Sequence, residues 1–342
     1  MPRLVSNPPN PWTSRHVELL GPPPPAALAV YEERARSIVS ENDSPDIPFR
    51  YSLNPYRGCF HACAYCYARP THQYLGFGAG TDFERRIVVK TNAPELLRRK
   101  LMGRGWTGER LVFSGVTDCY QPLEASYELT RRCLEVCLEF RQPVGIVTKG
   151  ALIRRDAELL GQLARVAEAT VYLSIPFTDE AMARAIEPFV SPPAVRFETL
   201  ALLAAAGVPT GVLVAPIIPG LNDSQVPAIL ERAAAAGARS AGHVLLRLPA
   251  EVRPVFEERL REALPLRANK VLSALAEQRG GRMNDPRFGT RLHGAGPRWQ
   301  AIEALFDTTC RKLGLDGGSA GHRASGPPRS TFRRPDPQGT LF

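Results

Sequence analysis

Through the middle of the chain, continuous apolar runs alternate with amphipathic stretches. Strand-like runs occupy residues 110–115, 144–148, 170–176, 210–218 and 243–248, and an earlier strand ends near Tyr56. Apolar positions recur at helical spacing over residues 127–140, 156–167, 194–206 and 226–236, and a further helix covers about 94–102. Strands that are apolar throughout are buried on both faces, and strands separated by helices pair in parallel. About six βα repeats result, followed by helices over 251–263, 266–278 and 297–313. Six such units build a doubly wound sheet or an incomplete barrel. A doubly wound nucleotide domain should open with G-x-G-x-x-G after a strand, and the sequence has neither that fingerprint nor a P-loop. In both architectures chemistry gathers at the carboxyl ends of the strands.

The flanks read differently. Ten of the 32 prolines fall in residues 1–50, including the run Pro22–Pro25, which predicts an extended lead-in over 1–49 with one short helix near 26–38. Residues 50–280 hold the βα repeats, and 281–315 read as a C-terminal helical extension. From Asp316 the chain is Gly, Ser, Pro and Arg with little that is apolar, which predicts a basic, disordered tail over 316–342.

Composition narrows the classes. Of 342 residues 44% are hydrophobic, ample for a sizeable core. Residues 199–222 carry no charge, but Pro209, Pro216 and Pro219 divide them into a helix tail, a turn and a buried strand, so no membrane span is expected. Seven cysteines, an odd number, and no apolar leader at 1–25 predict reduced thiols in the cytoplasm rather than a secreted disulfide scaffold. The net charge is +9. Residues 1–50 carry five Lys/Arg against six Asp/Glu and residues 316–342 four against two, so the excess lies in the folded body and suits an anionic ligand.

The most specific feature is the run from Asn54 to Tyr67, which sets Cys59, Cys63 and Cys66 at the spacing C-x3-C-x2-C just after the first candidate strand. Thiolates so spaced converge on a metal centre. A structural zinc takes four ligands, often as two C-x2-C knuckles; a second knuckle is missing, although His61 or His72 could supply a fourth ligand. An iron–sulfur cubane with three protein thiolates and one open iron fits the spacing better.

C-x3-C-x2-C with an aromatic, Tyr65, before the last cysteine resembles the signature of the radical S-adenosylmethionine (SAM) superfamily. The resemblance covers about residues 50–280. It implies a partial (β/α)6 barrel of the TIM type and a [4Fe–4S] cluster on Cys59, Cys63 and Cys66. It implies further that the unligated iron chelates SAM, that one electron cleaves SAM to a 5′-deoxyadenosyl radical, and that an electron donor such as flavodoxin or ferredoxin supplies that electron. Phe60, Tyr65 and Tyr67 would then shield the cluster, and Arg57 would favour its reduction. Ser114, Gly115, Thr117 and Asp118 end the second strand, where the family binds the SAM amino group. Lys149 and Ser174 end the third and fourth strands and resemble carboxylate and ribose contacts. Ile217, within Ala215–Gly220, ends the fifth, where the family packs an apolar residue on adenine.

Within the superfamily, Thr117-Asp118 with Lys149 and Ser174 resembles the spore photoproduct lyase branch, which repairs a thymine dimer in DNA. That lyase carries a hydrogen-donating cysteine two residues before its Ser/Thr-Asp pair, where this chain has Gly115. Cys119 follows the pair instead, and it is the candidate hydrogen-atom donor, with Tyr120 as its partner. The alternative for Cys119 is a small buried residue filling a strand end. Cys133 and Cys137, at i and i+4, read as core packing. The basic residues Arg85, Arg86, Lys90, Arg98, Arg99, Lys100, Arg104 and Arg110 read as a solvated face or as a surface that tracks nucleic-acid phosphates.

Overall fold

Residues branched at Cβ and leucine fill the central strands because helices or loops cover both faces of the sheet. The computed structural model describes residues 27–316 and 330–335. Its strands are β1 (Ala29–Glu33), β2 (Val39–Glu41), β3 (Tyr51–Leu53), β4 (Tyr56–Arg57), β5 (Arg86–Lys90), β6 (Leu111–Phe113), β7 (Val144–Thr148), β8 (Ala169–Ser174), β9 (Thr210–Ile217) and β10 (Ser240–Leu245). Seven of them form one sheet in the order β10-β9-β8-β7-β6-β3-β2. β3 and β6 to β10 pair in parallel, and β2 is antiparallel to β3. The terminal strands β10 and β2 do not pair with each other, so the barrel is open. This is the partial (β/α)6 barrel, with the carboxyl ends of six parallel strands on one face.

The uncharged stretch 199–222 divides as expected, into the helix Pro193–Ala205, a turn and β9. Among the described residues no helix is long and apolar enough to cross a membrane. The helices Val252–Ala263, Pro265–Glu277 and Pro297–Leu313 follow the last strand.

Two flanking expectations are corrected. The helix expected near 26–38 is instead β1, which pairs in parallel with β5 in a second sheet of order β1-β5-β4. Pairing with a strand more than 50 positions away overrides the local helical pattern. Residues 330–335, expected in the disordered tail, lie against the core: the Ser330 hydroxyl donates to the Gly108 carbonyl at 2.8 Å, and Phe332 stacks on Phe140 at 6.2 Å between ring centroids. The rest of the tail, and the prolines before residue 27, lie outside the described residues.

Candidate functional site

The cysteine loop leaves β4 through Gly58, whose φ of +78° and close neighbours (a Cβ would meet the Phe83 carbonyl oxygen at 2.9 Å) admit only glycine. Cys59 and Cys63 are buried, Cys66 is half-buried, and all three are free thiols. Burial pushes each thiol pKa up, and Cys59 is raised further by the charges that Cys66 and Cys63 would carry. Thiolates grouped in such a place are stable only with a cationic centre among them. Each histidine considered as a fourth zinc ligand has one ring nitrogen engaged. His61 Nδ1 lies 3.4 Å from Asp118 Oδ2, and His72 Nε2 lies 2.8 Å from the Arg86 carbonyl. Among the described residues no three His, Cys, Asp or Glu side chains are spaced to grip a single ion. A cubane takes each thiolate on a different iron, so three thiols on one loop suit it better than a closed four-ligand zinc.

The loop is held from behind by a buried ionic triad. Glu84 pairs with Arg69 at 2.6 Å and with Arg259, and all three side chains have 1% exposure or less. Arg69 Nη2 donates to the Cys63 carbonyl at 2.7 Å, and Arg259 donates to the Ala62 carbonyl. On the other side Gln121 accepts from Phe60 N–H at 3.0 Å and donates to the Gly58 carbonyl at 3.1 Å. Backbone carbonyls fixed by charged donors make the loop rigid before any ligand arrives. Phe60 borders the loop, and the Arg85 guanidinium lies between the rings of Phe60 and Phe189, at 4.6 and 4.8 Å. The Tyr67 ring is 57% exposed, so shielding falls to Phe60 and Phe189 rather than to Tyr67. Arg57 projects its charge onto His72 and Lys90, whose pKa values burial and Arg57 lower to about 4 and about 8.

The residues at the strand ends do meet around this loop. Asp118 accepts from Thr148 Oγ1 at 2.6 Å and from the N–H groups of Lys149 (2.7 Å) and Tyr120 (2.9 Å). Burial alone would raise its pKa; His61 and these donors override that and bring it to about 2. With its oxygens so engaged, Asp118 positions the loop that follows β6 rather than offering a free carboxylate. Ser114 and Gly115 open that loop at φ +83° and +116°, and the Gly115 carbonyl accepts from the Tyr67 hydroxyl. Thr117 is buried and donates to the Tyr56 carbonyl at 3.3 Å.

Lys149 Nζ donates to Ser174 Oγ and, at 3.2 Å, to the Ala215 carbonyl, and lies 3.4 Å from Glu187. The Tyr65 hydroxyl donates to Glu187, which also binds Arg196 at 2.6 Å. Sequence reasoning missed Glu187 and Arg196, since isolated charges on helical stretches carry no signal of burial. Ile217 is fully buried at the end of β9, and the carbonyl of Ala215, two residues before it, accepts from Lys149 Nζ and Ser174 Oγ.

Cys119 and Tyr120 point into the core. Cys119 has no exposed surface, and its pKa is raised by burial and by the nearby charges of Asp118 and Glu124. The Tyr120 hydroxyl donates to Asp156 at 3.1 Å. A hydrogen-donor role for Cys119 therefore requires the 114–118 loop to move, and the packing alternative matches its surroundings. Cys119→Ala is expected to cost about 1 kcal/mol by urea unfolding; full stability with lost activity would return Cys119 to the chemistry. Cys133 and Cys137 are likewise buried, on the helix Leu129–Glu139. Of the basic residues 85–110, Arg99, Lys100 and Arg104 are exposed. Arg85 and Lys90 are turned inward as above, while Arg86, Arg98 and Arg110 pair with Asp82, Glu139 and Glu168.

Comparison with known proteins agrees with this geometry. Residues 53–233, more than half of the chain, match the model of the radical SAM superfamily. An uncharacterised protein of Mycobacterium tuberculosis is 40% identical over 194 residues, 56% of this chain and 57% of that one. An uncharacterised protein of Methanocaldococcus jannaschii is 32% identical over 174 residues, 51% and 62% of the two chains. The chain thus spans less than two thirds of the length of these relatives. Spore photoproduct lyase complexed with dinucleoside spore photoproduct has a similar fold (TM-score 0.60, 16% identity, 84% of this chain and 80% of that one). A lyase variant with bound AdoMet and the same dinucleoside matches equally, at TM-score 0.60 and 17% identity. Three clustered thiols at the open end of a partial barrel, and a family match that spans them, make this chain a member of the radical SAM superfamily.

Proposed function

We propose that this chain is a radical SAM enzyme that holds a [4Fe–4S] cluster on Cys59, Cys63 and Cys66 and cleaves SAM beside it. The observation that carries this reading is the set of three free thiols, two buried and one half-buried, on a loop clamped on two sides at the carboxyl ends of six parallel strands. With SAM and one electron the cluster supplies a 5′-deoxyadenosyl radical, the electron coming from a donor such as flavodoxin or ferredoxin.

The chain's own residues do the rest. Lys149 and Arg196 place two positive charges against the single carboxylate of Glu187, which leaves one positive charge for a carboxylate such as that of SAM. Ser174 and the Ala215 carbonyl fix the Lys149 ammonium in place. Tyr65, hydrogen-bonded to Glu187, ties the cysteine loop to this charge network. Phe60, Phe189 and Arg85 keep water from one side of the loop. The dinucleoside held by the structural neighbours supports nucleic acid as the substrate class.

Anaerobic reconstitution should give a brown protein with about four irons per chain. Reduction in the presence of SAM should then yield 5′-deoxyadenosine, read by chromatography. A colourless protein with one zinc would refute the proposal.

A further inference from the structure

Arg279 follows the helix Pro265–Glu277 and is 7% exposed. One of its nitrogens, Nη2, donates to the carbonyls of Leu246 at 2.7 Å and Arg291 at 3.2 Å, which fixes the guanidinium next to the carboxyl end of β10. Its Nε and Nη1 are buried without a hydrogen-bond partner. Arg247, the residue after Leu246, is half-buried, and its Nε is likewise unpartnered. Neither guanidinium has an ion pair among the described residues. The carboxylates that act on them electrostatically are already engaged elsewhere: Asp46 lies 2.5 Å from Arg291, and Asp285 lies 2.7 Å from Arg287. Burial lowers both pKa values, Arg279 to about 10, with added repulsion from Arg247 at Arg279 and from Arg291 at Arg247. Arg279, held on the carbonyl of the residue before Arg247 and with donors unused, is a buried cation that lacks an anion.

We propose that Arg247 and Arg279 form an anion-binding subsite at the barrel mouth that takes a phosphate group of the substrate. This deepens the radical SAM reading and rests on it. Paired guanidinium forks match a tetrahedral oxyanion carrying several acceptors. Tyr67, one residue from Cys66 and 57% exposed, acts electrostatically on Arg247 and brings an aromatic side chain to the same side of the site. A phosphate with a flat ring next to it describes a nucleotide. The same oxyanion chemistry would suit the carboxylate of SAM, so the test separates the two sources.

The probes are thymidylyl-thymidine, with its phosphodiester charge, and the neutral methylphosphonate analogue of the same shape. Binding of each to the anaerobically reconstituted full chain is measured by calorimetry. The charged dinucleotide should bind at least tenfold more tightly than the neutral one. Arg247→Gln should abolish that preference, Arg279→Lys should weaken it, and Arg253→Gln, which removes an exposed arginine paired with Glu257, should leave it. Equal binding of the two dinucleotides by the wild-type chain, or a preference that survives Arg247→Gln and Arg279→Lys, would overturn the proposal. Displacement of the charged dinucleotide by SAM would overturn it too, by giving the subsite to the SAM carboxylate. 5′-Deoxyadenosine formation is scored separately, so failure of the radical chemistry with the charge preference intact strikes the enzyme reading and not the subsite.

Discussion

Replacing Glu84 by alanine is expected to destabilise the chain by about 3–5 kcal/mol, the cost of stranding buried charges without their counter-ion. Glu84 pairs with both Arg69 and Arg259, and all three side chains are shut off from water. Its removal leaves two guanidinium groups facing each other in the interior. The carbonyls of Cys63, Ala79, Gly80 and Ala62 still accept from them, but a carbonyl dipole does not neutralise a full charge. Glu84→Gln keeps the shape and one acceptor and should fall between alanine and wild type. The measurement is the urea midpoint, with the slope unchanged. A loss below about 1 kcal/mol would show that the triad only breaks even against its desolvation. The same substitution should lower iron uptake, because the two carbonyls that shape the cysteine loop lose their fixed donors.

Loss of a single loop thiol should be more complete in function and smaller in stability. Cys63→Ala is expected to drop the reconstituted iron from about four per chain to a small residue and to abolish 5′-deoxyadenosine formation. Cys59→Ala and Cys66→Ala should do the same. Cys133→Ala and Cys137→Ala serve as the contrast: both thiols are buried on the helix Leu129–Glu139, and iron content and cleavage should persist in both variants. Iron near eight per chain in the wild type would instead place a second cluster on that pair. Retained cleavage in Cys63→Ala would overturn the ligand assignment.

Much of the scaffold was legible in the chain because burial on both faces imprints itself on consecutive residues. β7 and β9 are continuous apolar runs, and their limits fall where the apolar runs change. The edge strand β10 was harder. It begins at Ser240, three positions before the apolar signal, and Gly242, His243 and Val244 are only half-buried. β1 was hidden because it is held by parallel pairing with β5, a partner that no local pattern reveals. The cysteines were legible since their spacing is the chemistry. What holds them was not. Glu84, Glu187, Arg196 and Arg259 look like surface charges in sequence, and their meaning lies in pairings such as that of Arg259 with Ala62, 197 positions apart. Asp118 was legible as a strand-end carboxylate, but its engagement by Thr148 and two backbone donors appears only in three dimensions.

The link from Arg259 to Ala62 also sets an order of events during synthesis. The three thiols leave the ribosome almost two hundred residues ahead of the guanidinium that shapes their loop. A nascent chain halted after β9 would carry the whole ligand motif and the segment around Glu84, yet that carboxylate would face Arg69 alone. Metal offered at that stage meets a pliant loop with exposed thiols. The second clamp on the loop forms only when the helix Val252–Ala263 closes behind it, so loading of the proposed cluster is expected of the finished barrel and not of the growing one.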